Sequence, residues 1–395
     1  LFQGVTAGKR QGFRAVSGMN IQKISILKYE RKFQISFRSS HTNRTNPESV
    51  ILCVDFDNGV RGFGESTPRD YVTGETCDSV VDCIRNTFAP LLIGKNVDSL
   101  NDAGALLDKV ESECAKTARG PYNSALGAVD IALIDAVGKH LGKSASECLG
   151  PKVRDEIQYS VTLPFMPLDK IEKLFVQMKD FQFRFIKILI SPFEDENVAR
   201  VKKIRSLMGD DVDIRIEANG TLPPETCLKN VRNLMKYNIS AIEQPVPKDD
   251  IKGMKRFRKK VDVPVIADES LCSMADLKMI VEHEACDIIN IKLSKCGGIL
   301  RSKKMAAFAY AHGLGCQMGA HVGETVILGE AGRAFAMTTP DLKYIEGCSF
   351  LLFQNALMTK KFCEKPASGG FGLGLADEDN ELILRDSSLA GIVGS

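Results

Sequence analysis

Between residues 157 and 346 the chain alternates eight short apolar segments with stretches long enough to form helices. The segments are Ile157–Leu163, Phe185–Ile190, Asp213–Ala218, Ile239–Glu243, Val263–Asp268, Asp287–Ile291, Gly313–Met318 and Lys343–Glu346. Most are rich in Ile and Val, which is how a strand buried on both faces reads. Parallel neighbours must be joined by a crossover, most often a right-handed one through a helix. Eight such units in succession predict the α/β class, and within it a (β/α) TIM-type barrel.

What precedes the barrel reads differently. Residues 21–37 alternate apolar and polar positions. Val50–Asp55 and Val60–Glu65 flank Asp57-Asn58-Gly59, and Asn-Gly between apolar runs is a strong hairpin signal. Residues 75–117 then take a helical pattern, so this part reads as an α+β capping module. Ala125, Ala128, Ile131 and Ala132 sit on a small-residue helix suited to close packing. The Gly-rich run 369–374 and the short apolar segment Glu381–Leu384 are expected to return to the cap. The expected division is 1–18 as a tag or vector remnant, 19–140 as the N-terminal capping (lid) domain, 141–354 as the catalytic barrel, and 355–395 as a C-terminal segment completing the cap. Leu1-Phe2-Gln3-Gly4 has the look of a protease-site scar, and Met19 reads as the natural start.

In a (β/α) barrel the chemistry gathers where the strands end. Here Lys187, Glu217, Glu243, Asp268, Lys292, His321 and Glu346 fall in or just after successive strands, 24 to 30 residues apart. Three acids, Glu217, Glu243 and Asp268, each close an apolar strand. Carboxylates converging on one barrel mouth repel and resist ionisation unless a cation joins them. All-oxygen donors point to Mg²⁺, with Mn²⁺ as the alternative. A substrate carboxylate on such an ion makes its neighbouring C–H more acidic, and a lysine can then serve as base. Lys187 and Lys292 lie on opposite sides of the acids, and His321 offers a further acid/base group.

These residues and their surroundings resemble the enolase superfamily, in particular its muconate-lactonizing-enzyme subgroup. The resemblance runs from about residue 20 to 390. It is carried by Gly62-Phe63-Gly64-Glu65-Ser66, by the lid-like Arg69-Asp70-Tyr71-Val72-Thr73-Gly74-Glu75, by Asp130–Asp135, and by four strand ends. Those are Ile216-Glu217-Ala218-Asn219, Ile242-Glu243-Gln244-Pro245, Ala267-Asp268-Glu269-Ser270 and Asn290-Ile291-Lys292-Leu293-Ser294-Lys295. The resemblance implies that Glu217, Glu243 and Asp268 bind the metal and that Lys292 is a base. It places substrate contacts at Tyr71 and Thr73 on the lid loop and at Asn219, Glu269 and Glu346. Two positions depart from the pattern. Glu217 stands where an Asp is usual. The second strand reads Lys187-Ile188-Leu189, so a leucine occupies the place of the second lysine of Lys-x-Lys, the acid/base on that face.

The resemblance thus implies a Mg-dependent enzyme that abstracts a proton α to a carboxylate. With Leu189 in that place, one-base chemistry of the muconate cycloisomerase type fits better than two-base epimerisation. The alternatives are an N-acylamino-acid or dipeptide racemase/epimerase, an o-succinylbenzoate-synthase-like dehydratase, or a silenced carboxylate binder. Like-charge repulsion from the metal and Lys187 is expected to favour neutral Lys292. A net charge of +2 gives no reason to expect nucleic acid or a membrane as partner. The 12 cysteines show no zinc or disulfide pattern and suit a reducing cytoplasm. A homo-oligomer is implied by the resemblance alone.

Overall fold

The computed structural model describes residues 18–30, 37–38, 43–44, 48–116, 120–177, 184–347 and 389–394. The cap is built on an antiparallel sheet of β1 (Ile21–Glu30), β2 (Glu48–Phe56) and β3 (Arg61–Ser66). β2 and β3 form the expected hairpin, with Asp55 opposite Arg61 and Gly59 at φ 85° in the turn. The last strand of the chain, Leu389–Gly394, pairs antiparallel with β1 on its other edge. The Gly-rich run and the Glu381–Leu384 segment lie outside the described residues.

The helix α1 (Leu100–Lys116) packs on α2 (Asn123–Leu141), and α2 covers this sheet. α2 is buried along almost its whole length. Its close packing depends on two glycines of β3. A Cβ at Gly62 would sit 2.0 Å from the carbonyl oxygen of Ala132, and one at Gly64 would sit 1.9 Å from that of Ala128. Only a strand without side chains at these points lets the helix backbone come so near.

The barrel is an eight-stranded parallel sheet in sequential order. Its strands are β4 (Ser160–Leu163), β5 (Phe185–Leu189), β6 (Asp213–Glu217), β7 (Ile239–Glu243), β8 (Val265–Ala267), β9 (Ile288–Ile291), β10 (Gly315–Met318) and β11 (Leu342–Ile345). Every one falls on an expected segment, displaced by three residues at most. Helices alternate with the strands, among them α3 (Ile299–Ala311) and α4 (Val326–Met337) after β9 and β10. Among the described residues, no helix is long and apolar enough to cross a membrane. The ten cysteines described are all free.

Candidate active site

Register places the acids side by side. Leu189 pairs with Glu217, and Glu217 pairs with Glu243, across three neighbouring strands. One layer below, Lys187 pairs with Arg215. Because residues two apart in a strand share a face, Arg215 points the same way as Glu217. These groups are nearly all buried: Lys187, Arg215, Glu217, Glu243, Asp268, Glu269, Lys295 and Glu346 are each less than 9% exposed. Lys292 keeps 11% of its side chain open at the mouth.

Lys187 sits in a cage of three acids. Its Nζ is 2.9 Å from Glu217 Oε2, 3.1 Å from Glu243 Oε2 and 2.9 Å from Glu346 Oε1. Burial alone would depress this ammonium, but Glu217, Glu243 and Glu346 outweigh it and hold it well above the usual lysine value. Lys187 is therefore held in ion pairs below the mouth, where a substrate-facing group was expected. Glu346, expected at the substrate, accepts from both Lys187 and Arg215, the latter at 3.0 Å. Arg215 also stacks on Tyr344, 3.8 Å from the ring centroid.

Glu243 has little capacity left. Besides Lys187 it accepts from Asn290 Nδ2 at 2.7 Å and Gln317 Nε2 at 3.0 Å. By contrast, one oxygen from each of Glu217, Asp268 and Glu269 lies within 4.8 Å of the others. Glu217 Oε1 and Glu269 Oε2 are buried with no hydrogen-bond partner. Two oxygens on a Mg²⁺ at about 2.1 Å can be about 4.2 Å apart, so a small closure would seat an ion here. Burial and Glu243 raise the Glu217 carboxyl well above its normal range. Burial and Asp268 push Glu269 up to about 7. Within this core five carboxylates face four cations, and a divalent ion with a monocarboxylate would restore neutrality. The residues present thus fit a hard divalent cation.

Lys292 Nζ lies 2.5 Å from Asp268 Oδ2. Lys295, one turn further on, holds Asp268 Oδ1 at 3.0 Å and donates to the carbonyls of Asp268 and Leu271. Burial would raise Asp268, yet Lys292 and Lys295 keep it below the carboxylate range. The expected lowering of Lys292 belongs to a site that holds the metal. Among the protein groups alone, burial and Lys187 act downward, but Asp268 outweighs them and favours the ammonium.

The lid loop is fastened to the barrel at several points. Thr67 N donates to Ser294 Oγ at 3.0 Å, and Arg69 Nη2 to the Val322 carbonyl at 2.6 Å. Lys248 Nζ donates to the carbonyls of Tyr71 and Val72. Thr73 is buried, its hydroxyl turned back to the Arg69 carbonyl at 3.4 Å. Tyr71 is half-buried beside it. Asn219 Nδ2 lies 3.3 Å from Glu269 Oε1, which joins two expected substrate contacts to each other. A cavity of about 700 Å³ opens beside the first three strand ends, lined by Phe165, Leu168, Ser191, Phe193, Arg200 and Leu222, and sequence reasoning did not anticipate it.

The fold and this acid-lined mouth define a class: a capped (β/α) barrel with acids and lysines gathered at the ends of its strands. Comparison with known proteins gives the family. Residues 22–150 match the mandelate racemase/muconate lactonizing enzyme N-terminal domain, and residues 170–378 match the enolase C-terminal domain-like family. N-succinyl-L-Arg/Lys racemase of Bacillus cereus is 30% identical over 329 residues, covering 83% of this chain and 87% of that one. The structure of that racemase superposes with a TM-score of 0.84 at 27% identity, covering 95% of this chain and all of the other. Muconate cycloisomerase 1 of Rhodococcus opacus is 28% identical over 80% of this chain and 84% of its own. The dipeptide epimerase of Cytophaga hutchinsonii, complexed with Mg and D-Ala-L-Val, gives a TM-score of 0.75 at 27% identity, over 85% of this chain and 88% of that one. The chain belongs to the mandelate racemase/muconate lactonizing enzyme branch of the enolase superfamily, and it is an isomerase.

Proposed function

We propose that this isomerase moves a proton on one face of the carbon next to a substrate carboxylate, in the manner of a cycloisomerase. The observation that carries the reading is the asymmetry of the mouth. Lys292 stands at the end of β9 with part of its side chain open, while the opposing position is the buried Leu189. Lys187 does not make up the loss, because three carboxylates hold its proton.

A divalent cation, Mg²⁺ by the chemistry of the donors, would be held by Glu217, Asp268 and Glu269, whose oxygens lie closest together, with Glu243 completing the set by giving up one of its present donors for the ion; it would stabilise charge on the substrate carboxylate and offset the Asp268 charge that retains the Lys292 proton. Lys292 takes the proton and returns it. Lys295 fixes Asp268 and its loop. Arg215 and Glu346 fix Lys187 beneath the acids. Thr67, Tyr71 and Thr73 close the mouth against water.

A second reading, epimerisation of N-acylated amino acids or dipeptides, is favoured by the names of the relatives above. It needs a base on each face. The two readings separate in D₂O. On the first, a chiral carboxylate gains label with retained configuration, and Lys292→Ala abolishes labelling while leaving Mg²⁺ binding intact by calorimetry. Normal activity in Lys292→Ala, or inversion as fast as labelling in the wild type, would overturn the one-face reading.

A further inference from the structure

His321, just past β10, leaves one ring nitrogen buried and without a partner. The residue is 4% exposed, and its Nε2 meets no donor or acceptor. The other nitrogen, Nδ1, lies 2.9 Å from the carbonyl oxygen of Thr67, where the lid loop begins. A carbonyl oxygen only accepts, so Nδ1 must carry the proton and Nε2 must keep its lone pair. The surroundings agree: burial, and then the Lys292 and Arg69 charges, hold the imidazolium well below its ordinary value. The backbone beneath the ring is fixed as well, because Glu324 Oε1 accepts from the His321 backbone N–H at 2.6 Å. This is a neutral acceptor of set orientation beside Lys292, and a buried acceptor of that kind costs stability until a donor arrives.

We propose that His321 is a specificity-determining residue with two tasks. Its Nδ1–H fastens the lid at Thr67, and its Nε2 accepts a hydrogen bond from an N–H or O–H group on the substrate carbon that bears the carboxylate. The inference rests on the reading that a carboxylate substrate lies against Lys292. It adds that the substrate carries a donor there, an amide nitrogen or a hydroxyl, and that the lid and the substrate are sensed by one ring.

The test separates the two nitrogens. Asn at this position can still donate to Thr67 but lacks the acceptor, whereas Gln can supply an oxygen near the place of Nε2. Nitrogen-15 NMR of the full chain, assigned by the signal that His321→Asn removes, should show Nδ1 protonated and Nε2 bare near neutral pH. An Nε2–H tautomer or an imidazolium overturns the proposal whatever the ligand. Binding is then measured by calorimetry with Mg²⁺ present. One pair of probes is N-acetyl-L-phenylalanine against its N-methyl analogue; the other is L-phenyllactate against its methyl ether. The wild type should prefer the donor-bearing member of at least one pair by about three- to tenfold. His321→Asn should lose that preference, and His321→Gln should retain it. A preference in the first pair assigns an amide, and in the second a hydroxyl. If wild type and His321→Asn discriminate equally, the proposal fails while the carboxylate reading stands. If no probe binds at all, both fail.

Discussion

Replacing Leu189 by lysine should convert one-face chemistry into two-face chemistry. Leu189 is 2% exposed, ends β5 and pairs with Glu217 across the sheet. A lysine there keeps most of the apolar stem and places an ammonium next to an acid whose Oε1 has no partner. Burying a leucine is worth roughly 1.5–3 kcal/mol, and only part of that is lost. Desolvating the new charge costs more, and the neighbouring Glu217 carboxyl offsets part of that cost. A net destabilisation of about 1–3 kcal/mol follows, within what a folded domain tolerates. General-base catalysis is typically worth about 10²–10⁴-fold, so inversion should rise by that order over a wild-type background near zero. The assay is chiral chromatography beside proton NMR in D₂O, on a carboxylate that the wild type labels. Label without inversion in the wild type, and label with inversion in Leu189→Lys, is the expected pair. If the wild type inverts freely, Leu189 does not mark a missing base. If a folded Leu189→Lys protein binds the carboxylate and still does not invert, position 189 does not face the reacting carbon.

Two further outcomes can be measured on the protein without substrate. Glu243→Ala should lose or greatly weaken Mg²⁺ binding in calorimetry, and unchanged affinity would remove Glu243 from the ligand set. Burial raises Asp130 to about 7, despite hydrogen bonds from the Ile299 and Leu300 amides. Since the folded value lies above the unfolded one, the native state binds the extra proton, and this group's contribution falls as pH rises from about 4 to 7 and then levels off. The stability of wild type relative to Asp130→Asn should therefore decline across that window in thermal melts; a constant difference from pH 4 to 8 would contradict the buried, proton-retaining state.

The strand ends were legible because one period governs both the barrel and its chemistry. An acid that closes an apolar strand is placed at the mouth by the fold itself, so Glu217, Glu243 and Asp268 could be named without coordinates. What each acid meets there was not legible. Glu346 and Arg215 are 131 residues apart in sequence, yet their pairing decides that Glu346 is spent within the core. The strand period could have flagged Arg215, two residues before Glu217 on the same face. Lys295 carried a weaker signal, one helical turn past Lys292, which does not reveal that its partner is the Asp268 loop. Glu269 was read as a substrate contact, and its free oxygen near Glu217 and Asp268 appears only when side chains are placed. Burial and like charges were foreseeable at Lys292, but the 2.5 Å approach of Asp268 that opposes them is a fact of three dimensions.

The cap and barrel are held in register by carboxyl groups placed at helix N-termini, where their oxygens satisfy free backbone amides. Glu65, the penultimate residue of β3, accepts from the amides of Thr325 and Leu328 at the start of α4. Asp130, within α2, accepts from the amides of Ile299 and Leu300 at the start of α3. Glu75, at the end of the lid loop, accepts from Ser124 and Ala125 at the start of α2. The first two caps grip the helices that follow β9 and β10, the strands that lead into Lys292 and His321. The third ties the lid loop to the helix that Gly62 and Gly64 allow to approach β3. A displacement of the cap therefore pulls on the segments carrying Lys292 and His321. The lid loop, fastened to His321 through Thr67, moves with them. Replacing one acceptor oxygen of each of these three acids by an amide NH₂ should disturb the mouth before it disturbs the core, because the barrel strands keep their own ladder whether or not the cap is seated.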